Sequence, residues 1–241
     1  RRIVMHRYRF GYHADLLAQF PTIVAGAGFA LGIDNESEER AAEALVRAHE
    51  QVAKAQFASV PLSSHPHISS WRAAYSRLGI KPTQYRCAVE ALLRHVVKGG
   101  TVPHINKLVD LCNYVSMKYV LPVAAYDLDH ILGPVQVRFA NGVEPFLPLH
   151  EQEVEYPRPG EVVYVDGEGA LSRRWTWRQS DRGKSTPQTI NALLTTEGVN
   201  DIEAIAVEAA MEELVSLVRE YCGGEVSWSM LDRDHPWAVM E

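Results

Sequence analysis

Cysteine is scarce in this 241-residue chain, limited to Cys87, Cys112 and Cys222. The three are far apart, odd in number and never spaced Cys-x-x-Cys, which argues against both a disulfide framework and a zinc ribbon and implies a reducing compartment. Long apolar runs are missing too. Residues 23–33 are interrupted by Gly26, Gly28 and Gly32 and fall well short of the ~20 residues that span a bilayer. Nothing resembles the apolar core and cleavage site of a signal peptide, so a cytoplasmic location is expected. Repeats and low-complexity linkers are lacking, and 46% apolar with 22% charged residues is a composition that folds around a sizeable core. Nor is there an excess of basic charge: the formal balance of −6 weighs against a dedicated nucleic-acid-binding protein.

Several chemical signatures are absent as well. The run Gly26, Gly28, Gly32 has one residue too many for Gly-x-Gly-x-x-Gly. Asp34, Glu36, Glu38 and Glu39 would also repel a pyrophosphate from the next helix, so a tight turn is expected there. His65 and His67 flank Pro66, but no histidine pair has His-Glu-x-x-His spacing, and surface histidines without a metal are expected. No Gly-x-Ser-x-Gly elbow marks a serine hydrolase. The sequence implies no cofactor.

What is present divides into helical and β-rich stretches. Residues 22–33 read as a strand and turn, followed by a helix to about Phe57 with N-cap oxygens available on Asp34, Asn35 and Ser37. Residues 69–78 and 85–98 read as helices, the second stopped by Gly99 and Gly100. Ile105, Leu108, Val109, Cys112, Val115 and Tyr119 recur at three- and four-residue steps, a helical stripe that Pro122 ends. Four β-rich runs follow, at 136–140, 145–149, 161–166 and 170–177. Pro187 opens a helix to Leu194, a last helix runs from about Asp201 to Cys222, and the tail with Trp228 and Trp237 packs back. Helices and a central sheet segregated along the chain predict an α+β fold, with residues 1–241 forming one unit.

Two segments carry residues suited to chemistry. Residues 105–115 place Asn106, Asp110 and Asn113 at mixed helical phases, with Asn113 beside the apolar stripe, where a buried amide needs partners; capping or core hydrogen bonding accounts for it equally well. Residues 173–184 interleave Arg173, Arg174, Arg178, Arg182 and Lys184 with Trp175 and Trp177. Aromatic faces stack on bases and arginine forks grip phosphates, which suits a single-stranded RNA end, although a two-sided strand shows the same alternation.

Both segments resemble a known family. The run Ile105-Asn106-Lys107-Leu108-Val109-Asp110-Leu111-Cys112-Asn113-Tyr114-Val115, then Leu121-Pro122-Val123-Ala124-Ala125-Tyr126-Asp127 and Val137-Arg138-Phe139-Ala140, is similar in order and interval to the B3/B4 module of the bacterial phenylalanyl-tRNA synthetase β subunit. The resemblance spans roughly residues 60–200. It implies a layered β/β/α fold with a partly open barrel, and hydrolysis of the ester between a wrong amino acid and tRNA. It also implies that a free-standing module would clear mischarged tRNA in trans, with at most transient contact to a synthetase. Asn113 takes the family's pocket asparagine, Tyr126-Asp127 its Phe-Asp pair, and Gln179-Ser180-Asp181 its Gly-Gly-Glu. Asn113 and Asp181 are thus the expected catalytic pair, with Lys107, Ala124, Tyr126, Asp127, Gln179 and Ser180 binding substrate. Ala124 replaces the family's pocket histidine, which turns the expectation from tyrosine toward a smaller hydroxylated amino acid. The alternative is a binding module of the same fold that catalyses nothing.

Overall fold

The computed structural model describes residues 8–36 and 40–240. Its elements in chain order begin with β1 (Tyr8–Tyr12), α1 (Ala14–Gln19), β2 (Val24–Leu31) and α2 (Ala41–Gln56). Three helices follow, α3 (Pro66–Arg77), α4 (Ala88–Val97) and α5 (Lys107–Tyr119). Next come strands β3 (Val123–Asp127), β4 (Val135–Phe139), β5 (Val162–Val165), β6 (Ala170–Arg173), β7 (Arg178–Gln179) and β8 (Asn191–Gly198). The chain ends with α6 (Ala204–Tyr221), β9 (Glu225–Leu231) and β10 (Trp237–Met240).

Two sheets form, in the orders β10-β1-β4-β5-β6-β7 and β3-β8-β2-β9, and neither closes into a barrel. Among the described residues only β1 and β4 pair in parallel; the other pairings are antiparallel. The smaller sheet is the middle layer. Because side chains alternate across a strand, Ala25, Ala27 and Phe29 of β2 join the core facing the larger sheet, while Ala30 faces α5 and α6. The order is therefore helices, small sheet, large sheet, the mixed α+β arrangement expected.

Several local expectations are corrected. Gly26 and Gly28 lie inside β2 rather than in a turn, and only Gly32 turns, at φ +65°. Their role is packing: a Cβ on Gly26 would lie 2.8 Å from Met211 Cβ, and one on Gly28 would lie 2.5 Å from Met211 Cε. Helix α2 starts at Ala41, since Asn35 turns inward instead of capping it; Ser37 lies outside the described residues. Residues 187–194 do not form a helix. The β-branched pair Thr195-Thr196 prefers extended backbone, and β8 gains ladder bonds on both edges from β2 and β3. Residues 145–149 make only isolated bridges, Phe146 to Glu155 and Pro148 to Ser180, because Pro145 and Pro148 lack the donors a ladder needs.

Residues 170–177 break after Arg173. Arg174 and Trp175 adopt positive φ, +45° and +61°. That conformation is costly for residues with a Cβ and is held by Tyr75 Oη donating to Arg174 O (2.7 Å) and Ser172 Oγ donating to Trp175 O (2.7 Å). The strain is offset by burial of the whole Trp175 ring, edge-on to Trp71 and Phe20.

The close approach of α6 to β2 gives an ordered expectation. Gly26→Ala meets Met211 Cβ, fixed to the backbone, and should cost about 1–3 kcal/mol in urea unfolding. Gly28→Ala meets the rotatable Met211 methyl and should cost less; the reverse order would contradict this packing.

Candidate functional site

Helix α5 is placed by two asparagines. Asn106 is its N-cap, accepting from Val109 N (3.0 Å), and its amide donates to Ser185 O (3.2 Å). Asn35 Oδ1 accepts from Leu108 N (2.9 Å), while its Nδ2 donates to Thr186 O (2.7 Å). Both are almost fully buried. Together they tie two orphan amides of the α5 N-terminus to residues 185–186, next to the polar turn 179–184. That turn is fixed to β3 as well: Asp127 N donates to Gly183 O (3.1 Å), and Gln179 Nε2 donates to Ala125 O (3.1 Å).

The result is a cavity of about 290 Å³ enclosed by α5, β3, the β6–β7 hairpin and the start of α4, with β8 at its floor. Asn113, Ala124, Tyr126, Gln179, Arg178 and Lys184 line it, so the two segments singled out in the sequence do meet in one hollow. Asn113 is half-buried, and its amide makes no protein hydrogen bond among the described residues. Asp181 is not among the lining residues; it stands behind the wall, where Oδ1 accepts from Lys184 Nζ (2.7 Å) and from His150 N (3.3 Å), both of which line the cavity. The Lys184 ammonium holds the Asp181 carboxyl below the usual range.

Other expected residues are elsewhere. Lys107 is buried and donates to Tyr221 O at the C-terminal end of α6 (2.9 Å), a position where the helix dipole favours a cation. Asp127 is buried outside the lining, accepting from Thr189 Oγ1 (2.7 Å) and Asp129 N (3.0 Å). Ser180 is buried within the turn and accepts from Arg182 N (3.2 Å). The basic residues of this segment are all engaged by carboxylates. Arg173 is buried between Glu155 and Glu161, Arg174 is 3.6 Å from Glu161, Arg178 meets Glu151, and Arg182 forks onto Asp166. Arg174 and Arg178 additionally lie 4.5 and 5.1 Å from the Trp177 ring centre.

The sequence profile of the B3/4 domain matches residues 70–223. This chain belongs to the B3/4 domain family. Every cavity-lining residue falls inside the matched span. The phenylalanine-tRNA ligase beta subunit of Psychrobacter arcticus is 35% identical over 114 residues, covering 47% of this chain and 14% of that subunit. The corresponding subunit of Thermotoga maritima is 39% identical over 72 residues, covering 30% and 9%. This chain thus matches less than a fifth of the length of either relative. An N-terminal fragment of the phenylalanyl-tRNA synthetase beta subunit from Pyrococcus horikoshii superposes with a TM-score of 0.47 at 14% identity, over 91% of this chain and 50% of that one.

The B3/4 cavity also has a floor that the sequence reading did not find. Alternation along β8 puts Leu193, Thr195 and Glu197 on the face between the sheets, and Thr195 and Glu197 line the cavity. Glu197 is buried, and its Oε1 accepts from Tyr12 Oη (2.5 Å) and Trp175 Nε1 (3.0 Å). Burial pushes its carboxyl above the usual range, although hydrogen bonds from Tyr12, Tyr164 and Trp175 act the other way. Tyr12, Tyr126 and Tyr164 are pushed up by the same burial and stay protonated. A single carboxylate among β-forming residues at 191–198 was the available signal; the helix expected over 187–194 covered half of that strand and left Glu197 in no element. Among the described residues no cluster of histidine, cysteine or carboxylate side chains could hold a metal ion, and no helix is long and apolar enough to cross a membrane.

Two measurements check this geometry. Asn106→Ala should lower stability by about 1–2 kcal/mol, whereas Asn106→Asp, which keeps the capping oxygen but not the donor to Ser185, should lose less. Glu197 is protonated more readily in the fold than in the unfolded chain, so its contribution is full below the unfolded pKa and is lost as pH rises through the folded one. Glu197→Gln should therefore gain on the parent as pH is raised from about 4 toward neutral in denaturant titrations. A difference independent of pH would mean that the carboxyl is not held in this way.

Proposed function

We propose that this protein is a trans-acting editing deacylase that hydrolyses the ester of mischarged aminoacyl-tRNA. The observation that carries the proposal is the meeting of Asn113, Ala124, Tyr126 and Gln179 in one cavity whose floor is the carboxyl of Glu197. The relatives named above are subunits of an enzyme that joins an amino acid to tRNA, which supports an aminoacyl ester as the occupant.

In this reading a water oxygen attacks the ester carbonyl carbon and the bond from that carbon to the ribose oxygen breaks. One water proton ends on the ribose oxygen, and free amino acid and tRNA leave. The chain supplies positioning and electrostatics. The unpartnered Asn113 amide donates to the carbonyl oxygen as charge develops there. Asp181, kept anionic by Lys184, positions that lysine in the wall and is too weak a base to drive the step itself.

The floor sets the choice of amino acid. A side chain reaching Glu197 and Thr195 must bring a hydrogen-bond donor, because an apolar one would strip water from polar groups and leave them unpaired. Ala124, paired across the ladder with Thr195, adds no polar group to that wall. A small hydroxylated amino acid fits this chemistry.

The test is a panel of mischarged tRNAs offered to substoichiometric protein. Repeated turnover of esters of hydroxylated amino acids is expected, with kcat/KM falling about 10²-fold in Asn113→Ala and also falling in Asp181→Ala. Stoichiometric retention without release would identify a binding module instead. Unchanged turnover in Asp181→Ala would remove that residue from the mechanism.

A further inference from the structure

A second set of cations lies beside the cavity, and two of them, Arg94 and Lys98, enter no ion pair among the described residues. On α4, Ala88, Ala91, Arg94, His95 and Lys98 follow one another at steps of three, three, one and three residues and lie along one face of the helix and its C-terminal extension. Ala88 is at the cavity wall. Ala91, Arg94, His95 and Lys98 line a groove with Gln84, Arg86 and Trp177, and none of these lining residues is acidic. Trp177 borders the groove and the cavity alike, so the two lie on either side of one residue.

The groove leads on through Arg86, Arg94 and Lys98 to a furrow that also contains Arg72. Its single carboxylate, Glu90, is buried and already held by Arg72 (2.7 Å) and, at 3.7 Å, by Arg86. Arg94 and Lys98 are exposed and enter no ion pair among the described residues. A run of positive charge with so little acid, on a chain whose formal charge is −6, is a local field that favours a polyanion. The face from Ala88 to Lys98 extends for roughly 15 Å. Its small residues come nearest the cavity, where a chain must approach closely, and its cations lie further out. Trp177 at the junction offers a ring on which a base can stack.

We infer that this groove carries the phosphate backbone of the single-stranded acceptor end of tRNA, with the terminal nucleotide stacked near Trp177 and its 3′ ester over the cavity. This rests on the aminoacyl-ester reading of the cavity and adds the path the RNA takes. It also moves RNA binding from the residues 173–184, whose cations are engaged by carboxylates, to Arg94 and Lys98.

Deacylated tRNA is the probe, because it carries no ester and its binding is read independently of hydrolysis. With the full chain, R94E/K98E should weaken binding of deacylated tRNA about tenfold or more near 0.1 M salt. R94Q/K98Q should lower the slope of log K against log salt by about 1.4, or ~0.7 for each single-strand phosphate that is no longer neutralised. R233E, at an exposed cation away from the groove, should bind as the parent does. Thermal melting of each variant reports whether it is folded, and the milder glutamine pair decides the matter if the glutamates disrupt α4. Equal affinity and equal salt slope in parent and glutamine pair would overturn the groove, as would a parent that does not bind deacylated tRNA. Loss of binding in the variants of a parent that hydrolyses no mischarged tRNA would keep the groove and remove the deacylase reading.

Discussion

The structure depends on the double tether between the α5 N-terminus and residues 185–186. Helix α5 carries Asn113 and packs on the small sheet; the turn 179–184 belongs to the edge of the large one. Nothing in the chain's local preferences brings them together. The buried amides of Asn35 and Asn106 do so by satisfying free N–H groups of the helix with one atom and carbonyls beside the turn with another. A polar side chain in such a place costs stability unless each of its groups is paired, and that requirement makes the relative position of the two layers specific.

Around this tether the cavity is assembled from groups whose polar needs are met to different degrees. Glu197, at the floor, is surrounded by donors and raised in pKa by burial. Asn113 has no protein hydrogen-bond partner among the described residues. The strained turn at Arg174 and Trp175 links the two, since it drives the Trp175 indole under the cavity to reach Glu197 and carries Trp177 up to its mouth. Strain held in place by Tyr75 and Ser172 at such a site is consistent with a preorganised pocket.

Much of this was legible beforehand, and the failures have physical causes. The stripe of α5 was readable because a helix on a sheet must bury one face. Asn113, Ala124, Tyr126 and Gln179 were readable by resemblance. Asp127 and Ser180 were expected at the cavity by the same resemblance, and Lys107 with them, but neighbours on a helix or strand point in different directions, and these three turn toward structural partners. The arginines at 173–182 were read as suited to RNA without their ion pairs, because sequence does not show carboxylates such as Glu155, Glu161 and Asp166 folding against them. Glu197 was missed with its strand.

By itself the sequence determined the helices with strong periodicity, the α+β class and the family, because these follow from local pattern and from motifs that lie in order along the chain. Tertiary structure decided which polar groups share a cavity, which cations are neutralised and which stay open along α4. Those are properties of pairs distant in sequence. Tyr12 and Glu197, 185 residues apart, meet only when the two sheets close.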